Sequence, residues 1–362
     1  MKVLMLSEDR NILRPGSEPA LRMEEYANVL GELHVVVPGG GEESRNGNLY
    51  IYSVPWRSLG VLRKGWKLCR AVKFDVLTVQ ATDDIGLVGF FLSRWFKISF
   101  QLQLHTDVMS PWYRKGSVKE WVKYWIAKFL IPHASGVRAV SERIKKSISN
   151  TLVFVLPIFT DLTKYFDSKR NPEVDQKFNS YEFKMIAVGR FVEKEKNFLM
   201  LISLMCEFVK VCPKALLVIV GEGPDKKRYE QRIQECDLGE SIMLEPWRED
   251  LPTFYKSFDL FLLSSNYEGW GRVVLEAMAS GLPVVMTDVG LAGEVVKNNE
   301  NGRMTPVGDM QAMLEVVIDL YKNPEKRKKF VETGLITVKS IRPSNKEEYL
   351  KKYRESFKFY RQ

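Results

Sequence analysis

Little in this 362-residue chain can staple it or hold a metal, for it has four cysteines and three histidines. Cys69, Cys206, Cys212 and Cys236 show no C-x-x-C spacing, which argues against zinc sites and a disulfide framework and predicts a reducing, cytoplasmic setting. The best apolar candidate, IGLVGFFLSRWF, is broken by Arg94 and Lys97 short of the ~18 to 20 residues that span a bilayer, so no spanning segment is expected. The opening MKVLMLSEDR reaches charge too soon for a secretion signal and reads as a first strand. After that strand there is no G-x-G-x-x-G, since SEDRNILRPGSE offers only Gly16, and the chain contains no G-x-x-x-x-G-K-[ST]. Both absences weigh against a dinucleotide-dependent dehydrogenase and a P-loop nucleotidase. No repeat of ~20 to 50 residues and no low-complexity tract is visible.

What is present fits a globular protein with 45% hydrophobic and 27% charged residues, long enough for two cores. The net charge of +9 is unevenly placed. From Arg57 to Lys146 there are 17 Lys and Arg against 6 Asp and Glu, so this stretch holds all of the basic excess.

Short β-rich runs alternate with helical segments: KVLMLS, LHVVVP, DVLTVQ, ISFQLQLH, SGVRAVS and LVFVLP. After a polar stretch the pattern restarts with FKMIAVGR, ALLVIVGEG, SIMLE, DLFLLSS and LPVVMTD. This predicts an α/β protein of two units, each with a buried parallel sheet, joined near residues 158 to 182. Near the carboxyl end, Tyr349, Tyr353, Phe357 and Tyr360 form an aromatic stripe at helical spacing, which suits core packing.

The segment NYEGWGRVVLEAMASGLPVV carries the most chemistry. A strand stops at polar residues, Gly269 and Gly271 permit a tight turn, and a helix then starts beside Gly271. Its first N–H groups and positive dipole end favour a phosphate or a polyhydroxylated ligand at the strand's carboxyl edge. Glu268 in the turn and Glu276 two helical turns on would bracket such a ligand; the ordinary alternative is two solvated glutamates. Arg190 ends the strand FKMIAVG and Lys196 opens the next helix, where both could reach one diphosphate. His105 closes the run QLQLHTD, again at a strand end, where it is either a structural residue or a ligand contact.

Two basic stretches carry tryptophan and phenylalanine. SVKEWVKYWIAKFLIP puts Val118, Trp121, Val122, Trp125, Ile126 and Phe129 on one helical face with Lys119, Lys123 and Lys128 around it, and RSLGVLRKGWKLCRAVKF mixes Trp66 with basic residues. Such a mixture suits the headgroup region of anionic lipid; equally, these helices could cover their own sheet. No nucleic-acid-binding motif accompanies the charge, so no nucleic-acid partner is expected.

Taken together, VGRFVEKEKN, GEGP, DLPTFY, NYEGWGRVVLEAMASGLPVVMTDVG and ENGRMTPVGD, in this order, resemble the retaining glycosyltransferases of family 4. The resemblance is dense over residues 183 to 310 and rests on pattern alone in the first half. It implies the GT-B fold, two Rossmann-like domains facing each other across a cleft. The first would be an acceptor-side domain over residues 1–165, the second a donor domain over 166–342, with the helix at 343–362 packing back on the first. It further implies that Glu268, Arg190, Lys196 and His105 are catalytic, and that Gly16, Gly269, Trp270, Gly271, Arg272 and Glu276 hold the donor. No cofactor and no metal would be required beyond the nucleoside-diphosphate sugar. The implied reaction is retaining transfer of that sugar to a glycan or lipid-linked acceptor in envelope or polysaccharide synthesis. The enzyme would be cytoplasmic, with peripheral contact to the inner membrane face through residues 57–131. Two departures stand out: Pro15-Gly16-Ser17 replaces the Gly-Gly pair frequent in the family's first loop, and Arg272-Val273 stands where many members have Leu-Pro. A sugar-nucleotide epimerase of the same fold and a non-catalytic lipid- or nucleic-acid-binding protein are the rival readings.

Overall fold

The computed structural model describes residues 1–115, 117–148, 151–341 and 343–359. They form two compact units, one of Met1–Phe159 with the chain from Asn345 onward, the other of Thr160–Ser344.

Unit 1 is built on an eight-stranded sheet. Its strands are β1 (Lys2–Leu6), β2 (Glu32–Pro38), β3 (Ser44–Asn46), β4 (Leu49–Val54), β5 (Val76–Val79), β6 (Ser99–Leu104), β7 (Gly136–Ala139) and β8 (Val153–Val155). They lie in the order β3-β4-β2-β1-β5-β6-β7-β8, all parallel except β3. β1 is buried from Val3 to Leu6 and pairs with β2 on one side (Val3↔Leu33) and β5 on the other (Val3↔Val76). Continuous apolar runs form strands like this one because helices cover both faces.

Unit 2 has six parallel strands in the order β11-β10-β9-β12-β13-β14. These are β9 (Phe183–Val188), β10 (Ala215–Val220), β11 (Ile242–Glu245), β12 (Leu260–Leu263), β13 (Val284–Thr287) and β14 (Arg303–Thr305). The chain enters this unit at Thr160, before the boundary expected after residue 165, and leaves it after Ser344. Tyr165 explains the earlier entry: it is buried in the helix Thr163–Asp167 with its ring 6.1 Å from that of Tyr255.

In each sheet the strand order reverses once, between β1 and β5 in unit 1 and between β9 and β12 in unit 2. At such a switch point the loops leaving the carboxyl ends of neighbouring strands diverge and open a crevice. Glu8, Asp83 and His105 lie just past β1, β5 and β6, whereas Arg190 and Glu268 lie just past β9 and β12.

The aromatic stripe forms the helix Lys346–Lys358 and belongs to the core of unit 1. Tyr353 stacks on Tyr26 at 3.8 Å between ring centroids, and the Tyr26 and Tyr349 hydroxyls meet at 2.9 Å. The same helix satisfies polar groups of the sheet: buried Arg138 donates to the Tyr349 hydroxyl (3.3 Å), Gln101 Nε2 to the Ser356 carbonyl (3.1 Å), and Gln103 Nε2 to the Tyr353 hydroxyl (3.4 Å). Tyr360, the last member of the stripe, lies outside the described residues. Among the described residues, no helix is long and apolar enough to cross a membrane.

Candidate functional site

In unit 2 three loops meet at the carboxyl edge of the sheet. The loop after β12 is laced to the one after β9: Ser264 Oγ donates to the Lys196 carbonyl (2.7 Å), Asn266 N to the Glu195 carbonyl (2.8 Å), and Asn266 Nδ2 to the Lys194 carbonyl (3.0 Å). The loop after β13 closes behind the Glu268 turn, with Leu291 N donating to the Trp270 carbonyl at 3.0 Å. Gly290 makes that approach possible, for it has φ +55° and a Cβ there would lie 2.6 Å from the Trp270 carbonyl oxygen. Gly271, at φ +92°, turns the chain into the helix Arg272–Ala279.

These loops bring together most of the residues singled out in this half. Lys196 Nζ pairs with Glu268 Oε1 at 2.5 Å and with Glu195 Oε1 at 3.0 Å, and Arg190 Nη2 donates to Glu195 Oε2 at 2.8 Å. Ser265 Oγ donates to Glu268 Oε1 at 2.8 Å, so one carboxylate oxygen is held from two sides. Burial disfavours the Lys196 ammonium, but Glu268 and Glu195 more than offset that and hold its pKa above the ordinary lysine value. Burial likewise works against the Glu195 carboxylate, and Lys196 and Arg190 outweigh it, lowering its pKa. The Arg190 side chain is 73% exposed, which leaves it free to turn toward an incoming anion. Gly269 and Trp270 are buried in the turn, and the Trp270 indole Nε1 is enclosed with no hydrogen-bond partner in this structure. Arg272 is exposed at the start of the helix, and Glu276 is buried on its second turn near Tyr255. The Tyr255 hydroxyl is raised well above its ordinary range by burial first and by the charge of Glu276 second.

Unit 1 has its own site at the corresponding sheet edge, a cavity of about 170 Å³ lined by Glu8, Asp83, His105, Tyr113 and Lys123 among others. His105 Nε2 is enclosed here without a partner, and burial, helped by Arg138 and Arg22, pushes the imidazole pKa down to about 3. His105 is therefore neutral at physiological pH. Asp83 is buried and held by Arg57 (2.5 Å) and Lys123 (3.0 Å). Arg57 also pairs with Glu8 and Asp84, and Ser58 hydrogen-bonds Asp84. Glu8, Asp83 and Asp84 lie close enough together to ligate one ion, but Arg57 and Lys123 already supply the balancing charge. Glu8 is raised by burial and by Asp83. Gly16 is exposed at φ +78° in the turn before the helix Glu18–Leu30 and is not part of this lining.

Both sites gather hydrogen-bonding and charged groups at a sheet switch point. The unit 2 site presents two cations and a helix amino terminus, which suits an anion; the unit 1 cavity presents a neutral histidine and acidic groups whose charge Arg57 and Lys123 balance, which suits hydroxyls. Sequence reasoning missed Glu195, which spans the two cations, and Ser265, which fixes Glu268. It also missed the cavity partners Glu8, Arg57, Asp83 and Lys123. Glu195 lies one residue from Lys196 and could have been found by asking what a buried lysine pairs with.

Residues 169–335 match the family described as glycosyl transferases group 1. The lipopolysaccharide core biosynthesis glycosyltransferase LpsE of Rhizobium meliloti is 28% identical over 150 residues, which cover 41% of this chain and 43% of that protein. The alpha-monoglucosyldiacylglycerol synthase of Streptococcus pneumoniae is 25% identical over 244 residues, covering 61% and 54% respectively. The chain thus spans about half the length of these curated relatives. The structure of Anabaena HepE in complex with UDP and glucose superimposes with a TM-score of 0.76 over 99% of both chains at 19% identity, which establishes a shared fold. The second half of the chain is thus similar to the group 1 glycosyltransferases, and the whole chain has the GT-B fold of two Rossmann-like units.

Proposed function

We infer that this protein is a group 1 glycosyltransferase, a retaining, metal-independent enzyme of the family 4 type. It moves a sugar from a nucleoside diphosphate to an acceptor hydroxyl in the synthesis of an envelope glycan, polysaccharide or glycolipid. The Lys196–Glu268 pair at the switch point of unit 2 carries this reading, because it sets a buried cation and a fixed carboxylate beside an exposed arginine. The four groups Arg190, Glu195, Lys196 and Glu268 are internally neutral. A diphosphate adds negative charge, and Arg190 can leave Glu195 to meet it. As the sugar–phosphate bond breaks, Arg190 and Lys196 stabilise the charge growing on the leaving oxygen, the work a divalent ion does elsewhere. Glu268 accepts hydrogen bonds from the sugar hydroxyls, and Gly269 to Arg272 offer N–H groups at the helix start. Glu276 takes the ribose hydroxyls. In unit 1, neutral His105 can hydrogen-bond a sugar hydroxyl without adding charge. The departing phosphate oxygen takes the acceptor's proton on the face that the new bond forms, which gives retention.

The names of its relatives support sugar donors and lipid or lipopolysaccharide acceptors, and the UDP and glucose bound to HepE put UDP-sugars first in the search. The test is a thermal-shift panel of UDP, GDP, ADP and dTDP with their sugars, run in EDTA on wild type and Arg190→Ala. A donor at 100 times its Kd stabilises the fold by about 2.7 kcal/mol. One nucleotide series that shifts wild type, with the shift reduced in Arg190→Ala, supports the donor site. No shift with any nucleotide counts against it. Turnover unchanged by EDTA, and a product of the donor's own anomeric configuration by NMR, test the two finer claims.

A further inference from the structure

Unit 1 carries an aromatic surface that its own fold leaves uncovered. In the helix Val118–His133 only Ala127, Leu130 and Ile131 are buried, whereas Trp121 is 54% and Trp125 48% exposed, with Val118, Val122 and Phe129 open beside them. The face singled out in the sequence therefore points outward, away from the sheet. The neighbouring helix Asp84–Phe96 extends the surface with Phe91 (61% exposed) and Trp95 (71%). Ring contacts gather it into clusters: Trp121 to Trp125 at 5.9 Å, Phe129 to Phe90 at 5.2 Å with Phe90 to Phe91 at 5.5 Å, and Trp95 to Trp66 at 5.0 Å.

The charge around these rings is positive. Lys128 lies over the Trp125 ring at 4.9 Å, Arg94 over Phe90 at 5.4 Å and Lys115 over Trp112 at 4.5 Å, with Lys97 and Lys119 exposed nearby. A soluble protein rarely gathers this many exposed aromatic and aliphatic side chains on two adjacent helices without using them. Tryptophan bodies flanked by lysine and arginine match the boundary where acyl chains meet anionic headgroups. A partner protein surface would more commonly be met by aromatics and arginine with lysine depleted.

The same helix also reaches the cavity. Lys123 leaves its other side, pairs with Asp83 at 3.0 Å and lines the space around His105. One helix thus carries the exposed aromatics and a wall of the pocket, separated by about one helix diameter of ~10 Å.

We propose that the outer face of the helices Asp84–Phe96 and Val118–His133 seats unit 1 on an anionic bilayer. The docking stands on the surface alone. Its consequence for substrate rests on the glycosyltransferase reading: the pocket opens beside the headgroup layer and takes an acceptor whose polar head projects from the membrane while its tail stays in it.

The experiment is vesicle co-sedimentation of the full chain at low salt, with phosphatidylglycerol-containing vesicles against phosphatidylcholine alone. Wild type is expected to bind the anionic vesicles preferentially. Trp121→Ser/Trp125→Ser and, independently, Lys119→Glu/Lys128→Glu should each weaken binding by about 10-fold or more, given ~1 kcal/mol per basic residue near the surface. Unchanged unfolding midpoints show that the variants fold. No binding by wild type, equal binding to both vesicle types, or full binding by both variants overturns the proposal. A concentration-dependent dimer in light scattering that the tryptophan variant breaks, without vesicle binding, also overturns it and assigns the face to a second copy. The nucleotide thermal shift is read separately, so loss of the donor site and loss of membrane docking are distinguishable.

Discussion

The two sheet edges solve the same problem with opposite economies of charge. In unit 2 the functional groups are few, drawn from two segments and already paired, two cations against two carboxylates, with the backbone of three loops hydrogen-bonded around them. In unit 1 they come from five distant places in the chain, and the cavity keeps an unpartnered histidine nitrogen and a raised glutamic acid. A paired, rigid edge suits a ligand whose charge must be met at a fixed point. A cavity with a neutral histidine and charge-balanced carboxylates suits one that offers hydroxyls.

The largest test of that contrast is Glu268→Gln. Gln keeps the size of the side chain and can still accept from Ser265, but it removes the charge opposite Lys196. Turnover should fall by about 10² to 10³-fold with the unfolding midpoint nearly kept; a folded variant with full turnover would remove Glu268 from the reaction. Gly290→Ala comes next. Its Cβ meets the Trp270 carbonyl oxygen at 2.6 Å in a left-handed backbone, so unfolding in urea should show a loss of about 1 to 3 kcal/mol. An unchanged midpoint would mean that the loops behind Glu268 yield easily and that the edge is not rigid.

The unit 1 edge should answer to pH. A His105 imidazole with a pKa near 3 stays neutral in the folded chain, while in the unfolded chain it takes a proton below about 6.5. Its burial is therefore free of penalty at pH 7 and lowers stability as pH falls from about 6.5 toward 3. His105→Gln should flatten the stability loss between pH 7 and pH 5 by about 2 kcal/mol, and identical slopes in the two proteins would refute the buried neutral ring. The smallest expected effect is that of Lys123→Met, about 0.5 to 1 kcal/mol in urea, because Arg57 still holds Asp83. A much larger loss would show that the cavity depends on Lys123 as unit 2 depends on Lys196.

What was legible in the sequence follows the same division. Strands that form apolar runs announce themselves, and β1, β2 and β5 to β13 were all visible as such, even β8 and β11, which are only partly buried. Two strands flanking the sheets escaped, β3 with its exposed Ser44, Arg45 and Asn46 and β14 with only three residues, as did β4 beside β3, because none makes a long apolar run. The Glu268 turn was legible because strand, turn and helix are consecutive. Its support was not, since Ser264 and Asn266 reach the Glu193–Lys196 segment across some 70 residues. The cavity around His105 needed the strand order, which no local pattern supplies. In the run IGLVGFFLSRWF, Phe91 and Trp95 stand among apolar neighbours, and only the burial of Val88, Leu92 and Ser93 shows which side faces out.

The helix Lys346–Lys358 gives the polypeptide an order of birth. A ribosome finishes all of Thr160–Ser344 before it makes the strip of aromatics that Tyr26, Gln101, Gln103 and Arg138 are waiting for. Until then Arg138, at 1% exposure in the finished protein, lacks its Tyr349 contact, and the ring of Tyr26 has nothing to stack on. The half translated first is thus the half completed last, and it must stay open while the later half folds. A nascent chain arrested after Ser344 should protect unit 2 from protease while unit 1 is still cut, a sequence of maturation opposite to the direction of translation.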